Sequence, residues 1–177
     1  MAWIIEEDRL DAQQREFIDR INFNRKNIWI KGFAGSGKSI LLAYTAKKVL
    51  TISPSANIVL IVFTQSLVEM FKAAFKEKKL NVPVETYFKF MKGNSHYDYI
   101  LCDEVQDLTP RILQEMKNRG THVVVAGDSN QSIYDHDPQW QEATVTPSEI
   151  GRLINGEAFE LGIIHRLSRS IIDAVQR

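Results

Sequence analysis

Apolar positions along this chain follow two periods. Four short runs lack polar alternation: NIWIKG around Ile28 to Ile30, then 57–64 (NIVLIVFT), 98–104 (DYILCDE) and 122–128 (HVVVAGD). Such runs read as strands buried on both faces. Between them, apolar residues recur at helical spacing. Residues 10–21 place Leu10, Phe17, Ile18 and Ile21 on one face, with Asp11 as the cap. Residues 66–79 carry a stripe of Leu67, Met70, Phe71, Ala74 and Phe75. Residues 38–50 read as a helix, and TPRILQEMKNRG as another, with Thr109 capping, Pro110 at the first helical position and Gly120 as the stop. A helix from Pro147, a short strand near FELGI and a last helix from Ser168 complete the pattern. Strands alternating with helices predict an α/β chain of three layers, a parallel central sheet with helices on both faces.

Composition narrows the class. The 177 residues suit one domain, and 44% hydrophobic with 25% charged residues is enough for a packed core. Lysine plus arginine and aspartate plus glutamate both number 22, so any nucleic-acid contact must be local. Cys102 is the single cysteine, which excludes an intrachain disulfide and a cysteine zinc site; inside its strand it reads as a small buried hydrophobe. His96, His122, His136 and His165 lack metal-ligand spacing. The acidic N-terminus without a long apolar run argues against a signal peptide, and no stretch is long enough to span a bilayer. The expected setting is a reducing, soluble compartment without a membrane partner: the cytoplasm, or the nucleus in a eukaryote.

Chemistry concentrates where the first strand breaks into Ala34, Gly35, Ser36 and Gly37 before a helix. Gly32, Gly37, Lys38 and Ser39 fit G-x-x-x-x-G-K-[ST], a phosphate-binding loop. Its glycines let backbone N–H groups turn toward phosphate oxygens, and the following helix aims its positive end at the same place. Lys38 would neutralise the β- and γ-phosphates of a nucleoside triphosphate, and Ser39 would offer its hydroxyl to Mg²⁺. Such a loop needs a carboxylate at the end of another buried strand, and Asp103 supplies it. Glu104, one step on, would orient or deprotonate the attacking water; the competing reading of the pair is a solvated acidic turn.

At DEVQD the chain resembles superfamily 1 helicases of the UvrD/Rep type, whose motifs appear in order. LDAQQREFI resembles the Q motif, with Gln14 at the glutamine that reads the adenine edge. GFAGSGKS is similar to motif I. VFTQSL resembles motif Ia, where Thr64 would touch the single-strand backbone. VETYFKF resembles motif Ib with Phe88 in place of the usual histidine. AGDSNQSIYD resembles motif III, with Gln131 as γ-phosphate sensor and Tyr134 facing DNA. LGIIHRLSRSI resembles motif IV, with Arg166 at the arginine position. The resemblance covers about residues 10–172 and implies a RecA-like P-loop NTPase lobe, with ATP and Mg²⁺ as cofactors. Its partners would be single-stranded DNA, with RNA the lesser choice, and a second RecA-like lobe.

Departures from the pattern matter as well. Motifs V and VI and the second lobe's arginine are missing, so residues 1–177 read as the first lobe alone, weakly active or inactive in isolation. His136, Asp137 and Pro138 replace the Trp-Arg-Gly that often follows QSIY, an acidic residue where a basic one is usual. On their own residues, Gln131 doubles as a turn former, Tyr134 as partial core, Arg166 as a surface cation, and Asp128 as a turn former or supporting carboxylate. Lys72, Lys76, Lys78 and Lys79 read as a solvated helix face before a DNA-backbone contact, and Trp3, Trp29 and Trp140 as packing residues. The expected function is an ATP-dependent helicase or translocase. Its rivals are a nucleotide-switched regulatory module that moves no DNA, and a small-molecule P-loop kinase.

Overall fold

The computed structural model describes residues 6–20, 26–128 and 136–163. A six-stranded, all-parallel sheet in the order β3-β2-β4-β5-β1-β6 forms the middle layer. Its strands are β1 (Asn27–Gly32), β2 (Ile58–Val62), β3 (Val84–Thr86), β4 (Tyr97–Cys102), β5 (Gly120–Gly127) and β6 (Gly156–Leu161). The helices are α1 (Ala12–Arg20), α2 (Lys38–Ile52), α3 (Gln65–Glu77), α4 (Tyr87–Lys92), α5 (Pro110–Arg119) and α6 (Pro147–Ile154).

The strands lack polar alternation because each feeds two cores. Ile28, Ile30, Leu60, Leu101 and Val124 face one side, where they pack with Phe17, Leu41, Phe71 and Phe75 from α1, α2 and α3. Trp29, Val59, Ile61, Ile100 and Val125 face the other, with Phe90, Ile112, Leu113, Met116 and Ile150 from α4, α5 and α6. Period-two alternation of direction with apolar residues on both sides is what a sheet between two helical layers demands.

Local signals match with small offsets. Asp11 caps α1, its Oδ1 accepting from Gln14 N at 2.8 Å, while Gln14 Oε1 accepts from Asp11 N at 3.1 Å. Ile21 and the helix expected from Ser168 lie outside the described residues. Helix α3 starts at Gln65, one residue early, because Thr64 accepts a hydrogen bond from Leu67 N and is the cap. On its stripe Val68 is buried while Leu67 and Met70 are half-buried. Thr109 stands at the cap position of α5, but its side chain makes no capping bond, and its buried hydroxyl has no partner among the described residues. Gly120 stops α5 and is already the first residue of β5, so no loop separates them. Strand β3 and helix α4 escaped the periodicity because three and six residues are too few to show one.

Candidate active site

Parallel strands bring all their C-terminal ends to one edge, and β5 lies between β1 and β4 there. The loop after β1, the carboxylates after β4 and Asp128 after β5 therefore meet. Ligand sites in open α/β sheets form along this edge.

The loop 33–37 is shaped by two glycines with positive φ, Gly35 at 82° and Gly37 at 92°. Gly37 is the N-cap of α2, where no side chain caps the helix and the first turn holds no acidic residue, so its amide end is open to an anion. A Cβ at Gly37 would stand 2.3 Å from Gln14 Nε2, so a larger residue would meet the neighbouring helix as well as strain. Gln14 is buried and its Nε2 donates to the Ser36 carbonyl at 3.2 Å. Its side chain thus joins the start of α1 to the loop. The Ser36 hydroxyl is buried without a partner among the described residues, whereas Ala34 is exposed.

Lys38 is buried and folds over its own loop, donating to the carbonyls of Gly32 at 2.9 Å and Phe33 at 3.1 Å. Ser39 donates its hydroxyl to Asp103 Oδ2 at 2.6 Å, which closes the loop onto the end of β4. Asp103 is buried, and its carboxyl is pushed up to about 6 by that burial and then by the charge of Glu104; bonds from Ser39 and the Glu104 N–H, and the Lys38 charge, pull the other way. A dry carboxylate beside a second one is the environment that a divalent cation relieves. The hydroxyl and carboxylate present are hard oxygen donors of the type Mg²⁺ takes, and the donor set fits that ion. Glu104 has left-handed backbone angles, φ 53° and ψ 46°, and its Oε2 accepts from Gln106 Nε2 at 2.7 Å.

The remaining expected residues divide. Thr64 is exposed at the exit of β2 on the same edge, its hydroxyl engaged in capping α3. Gln131, Tyr134 and Arg166 lie outside the described residues, as does Trp3. Asp137 is buried, and its Oδ1 accepts from Gln139 N at 2.8 Å and Trp140 N at 2.7 Å, so it shapes a turn. Trp140 packs against Tyr87 and Phe88, and Trp29 is buried. The lysine face of α3 is partly matched, Lys72 to Glu69 and Lys78 to Glu6. Cys102 is fully buried and burial holds its thiol well above the usual range, as a packing residue requires. Gln13 had no distinct sequence signal, and Gln106 was seen only as part of the DEVQD resemblance, with no partner assigned. Gln13 Oε1 accepts from Gly162 N at 3.0 Å and ties α1 to the exit of β6, and Gln106 reaches β5.

This combination of parallel sheet, glycine loop and adjacent strand-end carboxylates defines a RecA-like P-loop domain. The chain belongs to a family described as an AAA domain, whose model matches residues 14–137, more than half its length. No curated protein matches it. In fold it is similar to parts of solved helicase structures. One is a structure of two coordinating Pif1 helicases at forked double-stranded DNA, with TM-score 0.59, 15% identity, 94% of this chain covered and 47% of that one. Another is arterivirus nonstructural protein 10, a helicase with DNA, with TM-score 0.59, 18% identity, 85% of this chain covered and 39% of that one. A third is the Candida albicans Pif1 helicase, with TM-score 0.58, 15% identity, and 94% and 43% covered. The chain thus spans less than half the length of each of these structures. Among the described residues no helix is long and apolar enough to cross a membrane.

Proposed function

We propose that this chain is the first RecA-like lobe of an ATP-dependent helicase or translocase acting on single-stranded DNA, of the UvrD/Rep type. The observation that carries the reading is the 2.6 Å bond between Ser39 and Asp103, which makes the glycine loop and the β4 carboxylates one site. Gly32, Ala34, Gly35, Ser36 and Gly37 would cradle the triphosphate with backbone amides, and Lys38 would leave its loop carbonyls for the β- and γ-phosphates. Ser39 and Asp103 would hold Mg²⁺, which when bound neutralises charge at the phosphates. Glu104 would orient the attacking water and accept its proton. Gln14 would read the adenine edge, Gln131 would sense the γ-phosphate, and Arg166 would lend its donor fork. Thr64 and Tyr134 would contact the strand. A second RecA-like lobe would complete the cleft and drive translocation by closing over ATP and reopening after hydrolysis.

The test is a titration with a fluorescent ATP analogue and Mg²⁺, followed by a labelled single-stranded oligonucleotide with and without that analogue. We expect weak nucleotide binding that Lys38→Ala removes, and nucleotide-dependent oligonucleotide binding. Nucleotide binding that survives Lys38→Ala contradicts the site. Binding of nucleotide with no effect on the oligonucleotide turns the reading toward a regulatory module. Turnover by the chain alone should stay below about 1 s⁻¹, the low end for complete enzymes.

A further inference from the structure

We propose that Gln106 is a positioning residue whose side-chain amide ties the Glu104 carboxylate to the exit of β5, so that Glu104 follows the position of that strand end. The proposal rests on the reading of Glu104 as the group that handles the attacking water. Glu104 occupies a left-handed backbone conformation that residues other than glycine rarely adopt, and this sets where its side chain leaves the turn after β4. Gln106 holds the carboxylate there. Its Nε2 donates to Glu104 Oε2 at 2.7 Å and lies 3.5 Å from Asp107 Oδ2, while its Oε1 accepts from the Asp128 backbone N–H at 3.1 Å. The Asp128 partner settles which way the amide points, because a backbone N–H only donates and so must face the amide oxygen.

A neutral amide performs both tasks at once without adding a charge beside Asp103. Gln106 is buried, so solvent does not compete for either bond. The sequence of β5 accommodates it: a Cβ at Gly127 would stand 2.6 Å from Gln106 Oε1 and 2.7 Å from Val105 Cγ1. The close approach of the turn after β4 to the end of β5 therefore depends on the missing side chain. Displacement at Asp128 pulls on Oε1, and the same rigid amide transmits it to Glu104.

The experiment is a coupling cycle read from the backbone amide resonance of Asp128 in this chain, without nucleotide. Glu104→Ala should shift that resonance in the otherwise native chain and leave it in place in the Gln106→Leu background. Equal shifts in both backgrounds, or none in either, overturn the proposal. Should Gln106→Leu fail to fold, Gln106→Glu takes its place, since it keeps an acceptor for Asp128 but offers Glu104 no donor. This arm needs no hydrolysis, so it judges Gln106 even if the chain proves not to turn over ATP. Where Mg-ATP turnover is measurable, Gln106→Glu should lower kcat by roughly tenfold, a fraction of the 10²–10⁴ that a positioned base contributes. KM should hold, with kcat compared at a temperature where Gln106→Glu is fully folded, since a carboxylate buried beside Glu104 and Asp107 lowers the unfolding temperature. An unchanged kcat, or a kcat loss that merely tracks lost stability, overturns the proposal.

Discussion

The two ends of the sheet treat charge differently, although the N-terminal end also buries one cation, Arg119, which donates to the carbonyls of Phe90, Gly93 and Ser95. At the C-terminal end Lys38, Asp103 and Gln106 are buried, and the hydrogen bonds of these side chains run within the loop, to its neighbours and across to the strand ends. At the N-terminal end, reached by the start of the strands and the end of the helices, Lys26 pairs with Glu157, Lys47 with Glu7 and Lys78 with Glu6, mostly in solvent. Exposed pairs are screened and contribute little, so these make a soluble rim. Buried charged and polar groups are expensive to hold, and a buried ion pair replaced whole by apolar residues is commonly neutral or stabilising. Three such buried groups meet on one edge around a carboxyl pushed up by burial, and a perturbed carboxyl in such a cluster is the expected mark of a site.

That contrast sets the order of effects. Largest is Lys38→Ala or Glu104→Gln, which should lower ATP turnover in the complete enzyme by more than about 10²-fold, the scale for removing one preorganised group, with the circular dichroism spectrum unchanged. Turnover retained in either variant would remove the mechanism. Next is Gly37→Ala. Positive φ and the approach of Gln14 should destabilise the chain by about 1–3 kcal/mol in urea unfolding, the range for a strained backbone. An unchanged midpoint would mean that the loop is not held in this shape.

A pH series on the metal-free protein sharpens the comparison further. The folded state holds the Asp103 proton up to about 6, whereas the unfolded chain releases it near the ordinary 3.8. The folded state therefore binds more protons in between, so this group's contribution to stability falls as pH rises from about 4 to about 6 and is level above that. Asp103→Asn should flatten this component in thermal melts taken across the window; a slope identical in both proteins would assign it elsewhere. Smallest is Lys72→Ala on the exposed α3 face, expected to change stability by no more than about 0.5 kcal/mol, as surface substitutions do. A larger loss there would mean that exposed pairs hold more of the stability than solvent screening allows.

Much of this was readable from residue order, for reasons particular to each element. Uninterrupted apolar strands announced a sheet covered on both faces, and Val59 and Leu60 do go to opposite cores. The glycine loop was legible because its chemistry requires small residues and a lysine at set spacing. Strand β3 and helix α4 were not, being too short to repeat. The silent Thr109 cap was equally hidden, since the residue type is right and only geometry withholds the bond. Asp137 looked like a lost basic contact and proved to be a turn former, because its partners are backbone groups that no side-chain pattern reveals.

Local spacing along the chain was enough to specify every strand but β3, the loop and the acidic pair, because each depends on neighbours a few residues away. Folding in three dimensions chose the partners across distance: Ser39 with Asp103, Gln14 with Ser36, and Gln106 with both Glu104 and Asp128. The reason is physical. A parallel sheet gathers strand ends that are far apart in sequence, and a hydrogen bond reports only the meeting of two groups within about 3 Å.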